Sequence, residues 1–218
     1  MSKSTLLLRC CGPMQSWCAQ GAYKYRITEK HPTKSGVIGL LRAAMGYAMW
    51  EYPPGSVTPK QLCNLRFGVR FDKPGNVEVD YQTAGMLDTI LQADGKPTKQ
   101  GNMVIHRYFL SDADFLVGLE GIPSVLAKLQ CALAAPAYVL TLGRQCFPAT
   151  ESIWLRDGLV SVGLEDALKN YPALRNGSRM RVHVEKKNGQ RRTYDQPNLS
   201  KLELFLPRFY SEYHVDLS

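Results

Sequence analysis

The chain has 218 residues, 44% of them hydrophobic, with 27 Lys+Arg against 19 Asp+Glu, a formal charge of +8. That length and apolar content suffice for an ordinary buried core and exclude a disordered chain, while every apolar run is broken by charge or glycine before membrane-spanning length. The positive balance suits a polyanionic partner, and the six cysteines, with no C-x-x-C pair and no signal peptide ahead of them, read as reduced thiols of a cytoplasmic protein.

STLLLRCCG (4–12), short, apolar and closed by Gly-Pro, predicts a first buried strand over 4–11. HPTKSGVIGLLRAAMGY (31–47) opens a helix over 34–50 that turns Val37, Ile38, Leu40, Leu41, Ala44, Met45 and Ala48 toward a core. Lys34 and Ser35 precede Gly36 and Gly39, the reverse of the P-loop order, so a Walker site is excluded. What remains is a helix N-terminus with bare N–H groups, Thr33 or Ser35 as cap and a lysine beside it, favourable to any phosphate.

NLRFGVRFD (64–72) alternates Leu65, Phe67, Val69 and Phe71 inward, and a KPGN turn leads to VEVDYQT (77–83), so these two predict a hairpin. Residues 84–102, with Asp94-Gly95, Lys96-Pro97 and Gly101, are poor in core residues and read as a projecting loop or thumb. MVIHRYFLSDADFLVGLE (103–120) holds two extended segments divided at Ser111-Asp112, a helix covers 122–134, and AYVLTLG (137–143) ends as a buried strand. In order these give β-α-β-β-α-β, the ferredoxin-like (RRM-like) α+β order with the thumb inserted at about 80–108, its open sheet face of the kind RNA-recognition modules use. The expected division is 1–150 for this domain and 151–218 for a small, irregular, β-rich C-terminal part, in which Asn188-Gly189 signals a hairpin within 179–194.

Four constellations carry candidate chemistry. The loop 12–36 interleaves Gln15, Trp17, Tyr23, Tyr25 with Lys24, Arg26, Lys30, Lys34 and Ser35, the aromatics and cations that single-stranded RNA binding needs, or else a cover over one end of the core with solvated lysines. His106-Arg107-Tyr108 offers a general acid/base at His106 for metal-free RNA cleavage, with Tyr81, Lys96 or Lys99 as candidate partners. The alternative is a strand-end histidine beside a phosphate-binding arginine. Gly143 and Arg144 end a strand, the glycine permitting close backbone approach and the arginine forking a phosphate, or forming a plain turn. Lys186, Lys187, Arg191 and Arg192 make the densest positive cluster, at what reads as a solvated hairpin tip. No metal-ligand spacing, nucleophile motif or cofactor motif is present.

GPMQSW (12–17), PTKSGVIGLLRAAMG (32–46), HRYFLSDADFLVGLE (106–120) and LGRQCFPATESI (142–153), in that order and at those distances, resemble the CRISPR-associated Cas-five family, in its type I-E branch. The resemblance spans nearly the first 155 residues and implies a ferredoxin-like domain with a β-hairpin thumb at the foot of a Cascade surveillance complex. It implies an RNA-binding, non-catalytic subunit in antiviral defence that holds the crRNA 5′ handle and caps the backbone subunit CasC. Its neighbours would be the large PAM-reading subunit CasA and target DNA at the PAM-proximal end. It implies no cofactor and no membrane. By position, Gln15 and Trp17 would lie against the handle, and Thr33, Lys34 and Ser35 would contact its phosphates or 2′-hydroxyls. Arg26, His106, Arg107, Tyr108, Gly143 and Arg144 would complete the RNA site. Cys18 departs from the family's usual glycine after the tryptophan. In the type I-C branch the same fold cuts repeat RNA with a tyrosine, a lysine and a histidine, for which Tyr81, Lys99 and His106 are the alternative set here.

Overall fold

A computed structural model describes residues 3–17, 25–47, 52–85, 90–91, 94–97, 103–175, 179–198 and 205–216. Its centre is a pair of long strands, β1 (Ser4–Gln15) and β5 (Met103–Gly121), joined antiparallel from Ser4↔Gly121 to Gln15↔Leu110. Leu6, Leu8 and Cys10 of β1 are buried on one face and Leu7 on the other. A strand covered on both faces reads as the continuous apolar run seen in STLLLRCC.

Around this pair lie β3 (Arg66–Lys73), β6 (Trp154–Val160), β7 (Arg179–Glu185), β8 (Arg191–Pro197) and β9 (Phe205–Asp216), in the order β6-β1-β5-β3-β7-β9-β8. The short β2 (Tyr25–Arg26) and β4 (Asn76–Ala84) both attach to β5. Two helices, α1 (Lys34–Ala44) and α3 (Pro123–Ala134), bury Val37, Leu41, Leu126 and Leu129 in one core with Phe67, Phe115 and Val117. A short α2 (Pro59–Cys63), closed by a Thr58–Gln61 capping box, adds Leu62 to it. On the other sheet face α4 (Leu164–Asn170) sets Leu164 and Leu168 against Leu7, Leu116, Val182 and Val184, a second core. The architecture is therefore α+β, a large antiparallel sheet with few helices.

Several sequence expectations change. Residues 64–72 and 77–83 do not pair: β3 and β4 lie end to end along β5, β3 against 114–120 and β4 against 103–111. The corner is taken by Gly75 (φ 70°) and by Asp112 (φ 52°), so 103–121 is one strand with a bulge rather than two segments. Residues 137–142 form no strand beyond a single bridge, Thr141↔Pro148. The sheet position beside β1 belongs to β6 instead. Asn188-Gly189 joins β7 to β8, yet β9 lies between them and pairs both, because the approach of Gly189 to the Tyr210 backbone carries the connection over β9. The first long helix ends at Ala44, with Met45 as its C-cap, short of the expected residue 50.

Candidate nucleic-acid interface

The helix start at Lys34 is closed by the chain itself. Thr33, 1% exposed, caps α1 by accepting from Gly36 N at 3.3 Å, and its hydroxyl also accepts from Ser35 at 3.4 Å. Lys34 N donates to Asp195 Oδ2 at 2.8 Å, and Arg208 grips the same carboxylate through bonds of 2.8 and 2.7 Å. Burial pushes the Asp195 carboxyl up, but Arg208 and the Lys34 N–H outweigh it and hold it below the usual carboxylate range. The Lys34 ammonium is 2% exposed and reaches Glu185 Oε2 at 3.1 Å; burial draws its pKa down and Glu185 partly restores it. Within the chain, the anion that this helix N-terminus attracts is thus Asp195, and Thr33 and Lys34 are buried around it.

Gln15 and Trp17 are buried as well. Gln15 is fully buried, donating to Cys10 O at 3.0 Å and Ala113 O at 2.8 Å while accepting from Trp17 Nε1 at 3.0 Å. The indole, 1% exposed, packs against the Cα of Gly36, so it has no free face on which to stack a base.

A second group of predicted residues does converge, where β2, β4 and the loop after 142 meet the first half of β5. Tyr25 pairs in register with His106 and stacks on it, ring centroids 5.2 Å apart and planes 11° from parallel. Tyr81 meets the other side of the cross-strand pair edge-on at 5.4 Å. Tyr25 and Tyr81 are 52% and 61% exposed, so rings remain open to a partner. Lys99 lies outside the described residues.

Beside these rings gather three guanidinium groups. Arg26 pairs in register with Arg107, and Arg144 donates to Tyr108 O at 2.9 Å while lying over the Phe147 ring at 5.2 Å. Burial lowers the pKa of Arg144 and repulsion from Arg107 lowers it further, Cys146 and then Asp80 pull it back, and Arg26 adds a smaller lowering. Arg107 Nε is buried without a hydrogen-bond partner. Gly143 sets this geometry: at φ 99°, a side chain on it would overlap the Ser16 carbonyl, while Ser16 N donates to Leu142 O at 2.9 Å. Three like charges near one another, one with an unused buried donor, make a site short of an anion. Phe147, inside LGRQCFPATESI but given no role there, is the floor beneath Arg144; Asp80, a carboxylate that acts on Arg144, was legible only as part of an alternating strand.

A sequence model of the family described as CRISPR-associated protein (Cas_Cas5) matches residues 5–213. The chain belongs to the CRISPR-associated Cas5 family. A Cas5 relative in Escherichia coli (strain K12), the CRISPR system Cascade subunit CasD, is 32% identical over 161 residues, 70% of each chain. Among solved structures, one described as a Cas protein crystal structure superposes with a TM-score of 0.77 at 37% identity, covering 97% of this chain and 95% of that one. Another, from a CRISPR RNA-guided surveillance complex, gives 0.75 at 26% identity, with 98% and 90% covered. In this Cas5 chain, then, the predicted residues Arg26, His106, Arg107, Tyr108, Gly143 and Arg144 come together at the base of the β4–β5 ribbon. Gln15, Trp17, Thr33 and Lys34 lie outside that group and are buried, Lys34 against Glu185 of β7 and Asp195 of β8.

Proposed function

We propose that this chain is the crRNA-binding subunit of a CRISPR Cascade complex, gripping the 5′ handle of the crRNA without cutting it. The relative that is a Cascade subunit and the neighbour from an RNA-guided surveillance complex support the setting. The observation that carries the site is the cluster of Arg26, Arg107 and Arg144 under the stacked Tyr25 and His106, with Arg107 Nε unpartnered. Guanidinium forks take phosphates and open rings take unpaired bases, the two needs of a single-stranded handle. Ser35 is partly exposed at the start of α1, and the exposed face of Tyr81 extends this surface.

The sheet order β6-β1-β5-β3 with α1 and α3 on one face supports reading β1, α1, β3, β5, α3 and β6 as the ferredoxin-like unit. β4 and the first half of β5 are then the thumb, and the residues after 150 extend the sheet from both edges. In the complex the thumb side would face the backbone subunit CasC, with CasA and the PAM-proximal target DNA beyond.

The test is crRNA retention by the assembled complex carrying Arg107→Ala and Arg144→Ala. Loss of the handle's nuclease protection with assembly intact is expected; unchanged protection would overturn the reading. The Tyr81–His106 contact favours a second reading, a metal-independent endoribonuclease. One cut at the base of a repeat hairpin, made without metal by the purified chain and lost in His106→Ala, would replace the first reading with this one.

A further inference from the structure

The cationic cluster at the β7–β8 connection takes no part in the site above. β3 and β7, which flank the cluster, pair onto the sheet beside residues 114–120 of β5, at the far end of that strand from His106, Arg107 and Tyr108. Lys186, Lys187, Arg191 and Arg192 are all exposed. They are not mounted on a loose tip: Lys186 N donates to Phe209 O at 3.0 Å, Gly189 N donates to Lys186 O at 3.0 Å, and Gly189 packs on the Tyr210 backbone.

The acids around them are already engaged. Glu185 holds Lys34, Asp195 holds Arg208, Glu165 holds Arg66, and Glu212 lies 3.4 Å from Arg191. Lys186 and Lys187 have no ion pair among the described residues, so their charge is free for an outside partner. Lys186, Lys187 and Phe209, with Asn64 and Arg66, line an open groove of about 800 Å³. Phe209 is 41% exposed and Tyr194 36%; Arg192 faces Phe209 across the strands and lies over the Tyr194 ring at 5.2 Å. A solvated tip needs no aromatic floor, whereas free cations in a groove with open rings at its rim are what a single strand requires. A duplex leaves its bases no free face for those rings.

We infer that this groove and the β8–β9 face at its rim bind a second, single-stranded nucleic acid, its phosphates held by Lys186, Lys187 and Arg192 and its bases laid on Phe209 and Tyr194. This goes beyond the handle-binding reading and uses none of its residues.

The test titrates the full chain with short labelled oligothymidylate and counts bound strands by native mass spectrometry. Two strands per chain are expected. Replacing Lys186, Lys187 and Arg192 with Ala leaves one strand and reduces the logarithmic salt slope of binding by about 2, roughly 0.7 for each phosphate no longer neutralised. Arg107→Ala with Arg144→Ala, in contrast, removes the other strand, so failure at either place is read separately. Lys186→Ala with Lys187→Ala alone, which touches no internal bond, guards against a folding artefact and removes about two thirds of that slope change. Two strands retained by the three-cation variant, or binding at this groove that only duplex DNA supports, overturns the inference.

Discussion

Trp17 separates a binding residue from a packing one. Its indole, donating to Gln15 and pressed on Gly36, ties β1 to α1. Trp17→Ala is therefore expected to destabilise the chain by about 3–5 kcal/mol, with RNA affinity per folded chain unchanged. Urea denaturation beside RNA titration measures both, and lost affinity at full stability would return the residue to the RNA surface. His183 makes a second residue-scale prediction. It is packed between His31, Phe71 and Tyr210, and its Nε2, though 3.2 Å from Glu212, is off the hydrogen-bond direction, so neither ring nitrogen is satisfied. Burial, then His31 and Arg181, push it down from 6.5 to about 3. The unfolded chain therefore takes up a proton below about 6.5 that the folded chain refuses until about 3, so stability falls with pH across that window. His31, also lowered by burial, acts in the same direction. In His183→Phe, which keeps the ring stack, urea midpoints measured from pH 7 to pH 4 should fall less steeply than in the parent chain. An equal slope would mean that another group carries the pH dependence.

At the scale of elements, the loop after residue 142 is built around one backbone requirement. Gly143→Ala forces a methyl into the Ser16 carbonyl at φ 99°, displacing Arg144 from Tyr108 O. A loss of about 1–3 kcal/mol and weaker RNA binding are expected together. Gly39→Ala is the control: it is exposed inside α1 with open space at its Cβ, so about 0.5–1 kcal/mol of stabilisation and unchanged RNA binding are expected. Thermal melts and RNA titration of the two variants decide the matter, and like behaviour of both would remove the special role of Gly143. Elements whose neighbours are local were legible in the sequence: β1 from its apolar run, α3 from Pro123 at its start, and the amphipathic face of α1. Pairing was less legible, because a hairpin signal such as KPGN or Asn188-Gly189 fixes a change of direction but not which strand fills the neighbouring place. β5 took β4 from β3, and β9 entered between β7 and β8. In the candidate site the cations of 107 and 144 were legible as chemistry. The burial of Lys34 was not, since its partner Glu185 lies 151 residues away and no local pattern announces it.

For the whole molecule, the question is whether the residues before and after 150 fold as one. Arg70 of β3 decides it. The side chain is fully buried, forks Asp72 with two bonds of 2.9 Å, and donates to the carbonyls of Leu168, Tyr171 and Pro172 around the end of α4. A fragment ending at residue 150 deprives that guanidinium of three acceptors. It also strips Leu164, Leu168, Val182 and Val184 from Leu7 and Leu116, and β6 from the edge of β1. A buried charge left with unmet donors and an uncovered apolar sheet face add in the same direction, each worth several kcal/mol against the few that a domain of this size has to spare. The fragment 1–150 is thus expected to lack a cooperative thermal transition. The full chain should melt once, with calorimetric and van't Hoff enthalpies equal. Arg70→Ala in the full chain, which removes the tie but keeps both cores, should lower stability by about 3–5 kcal/mol while preserving the single transition. Two separated transitions in the full chain, or a fragment that melts cooperatively on its own, would mean that the sheet joins two independent units despite the reach of Arg70.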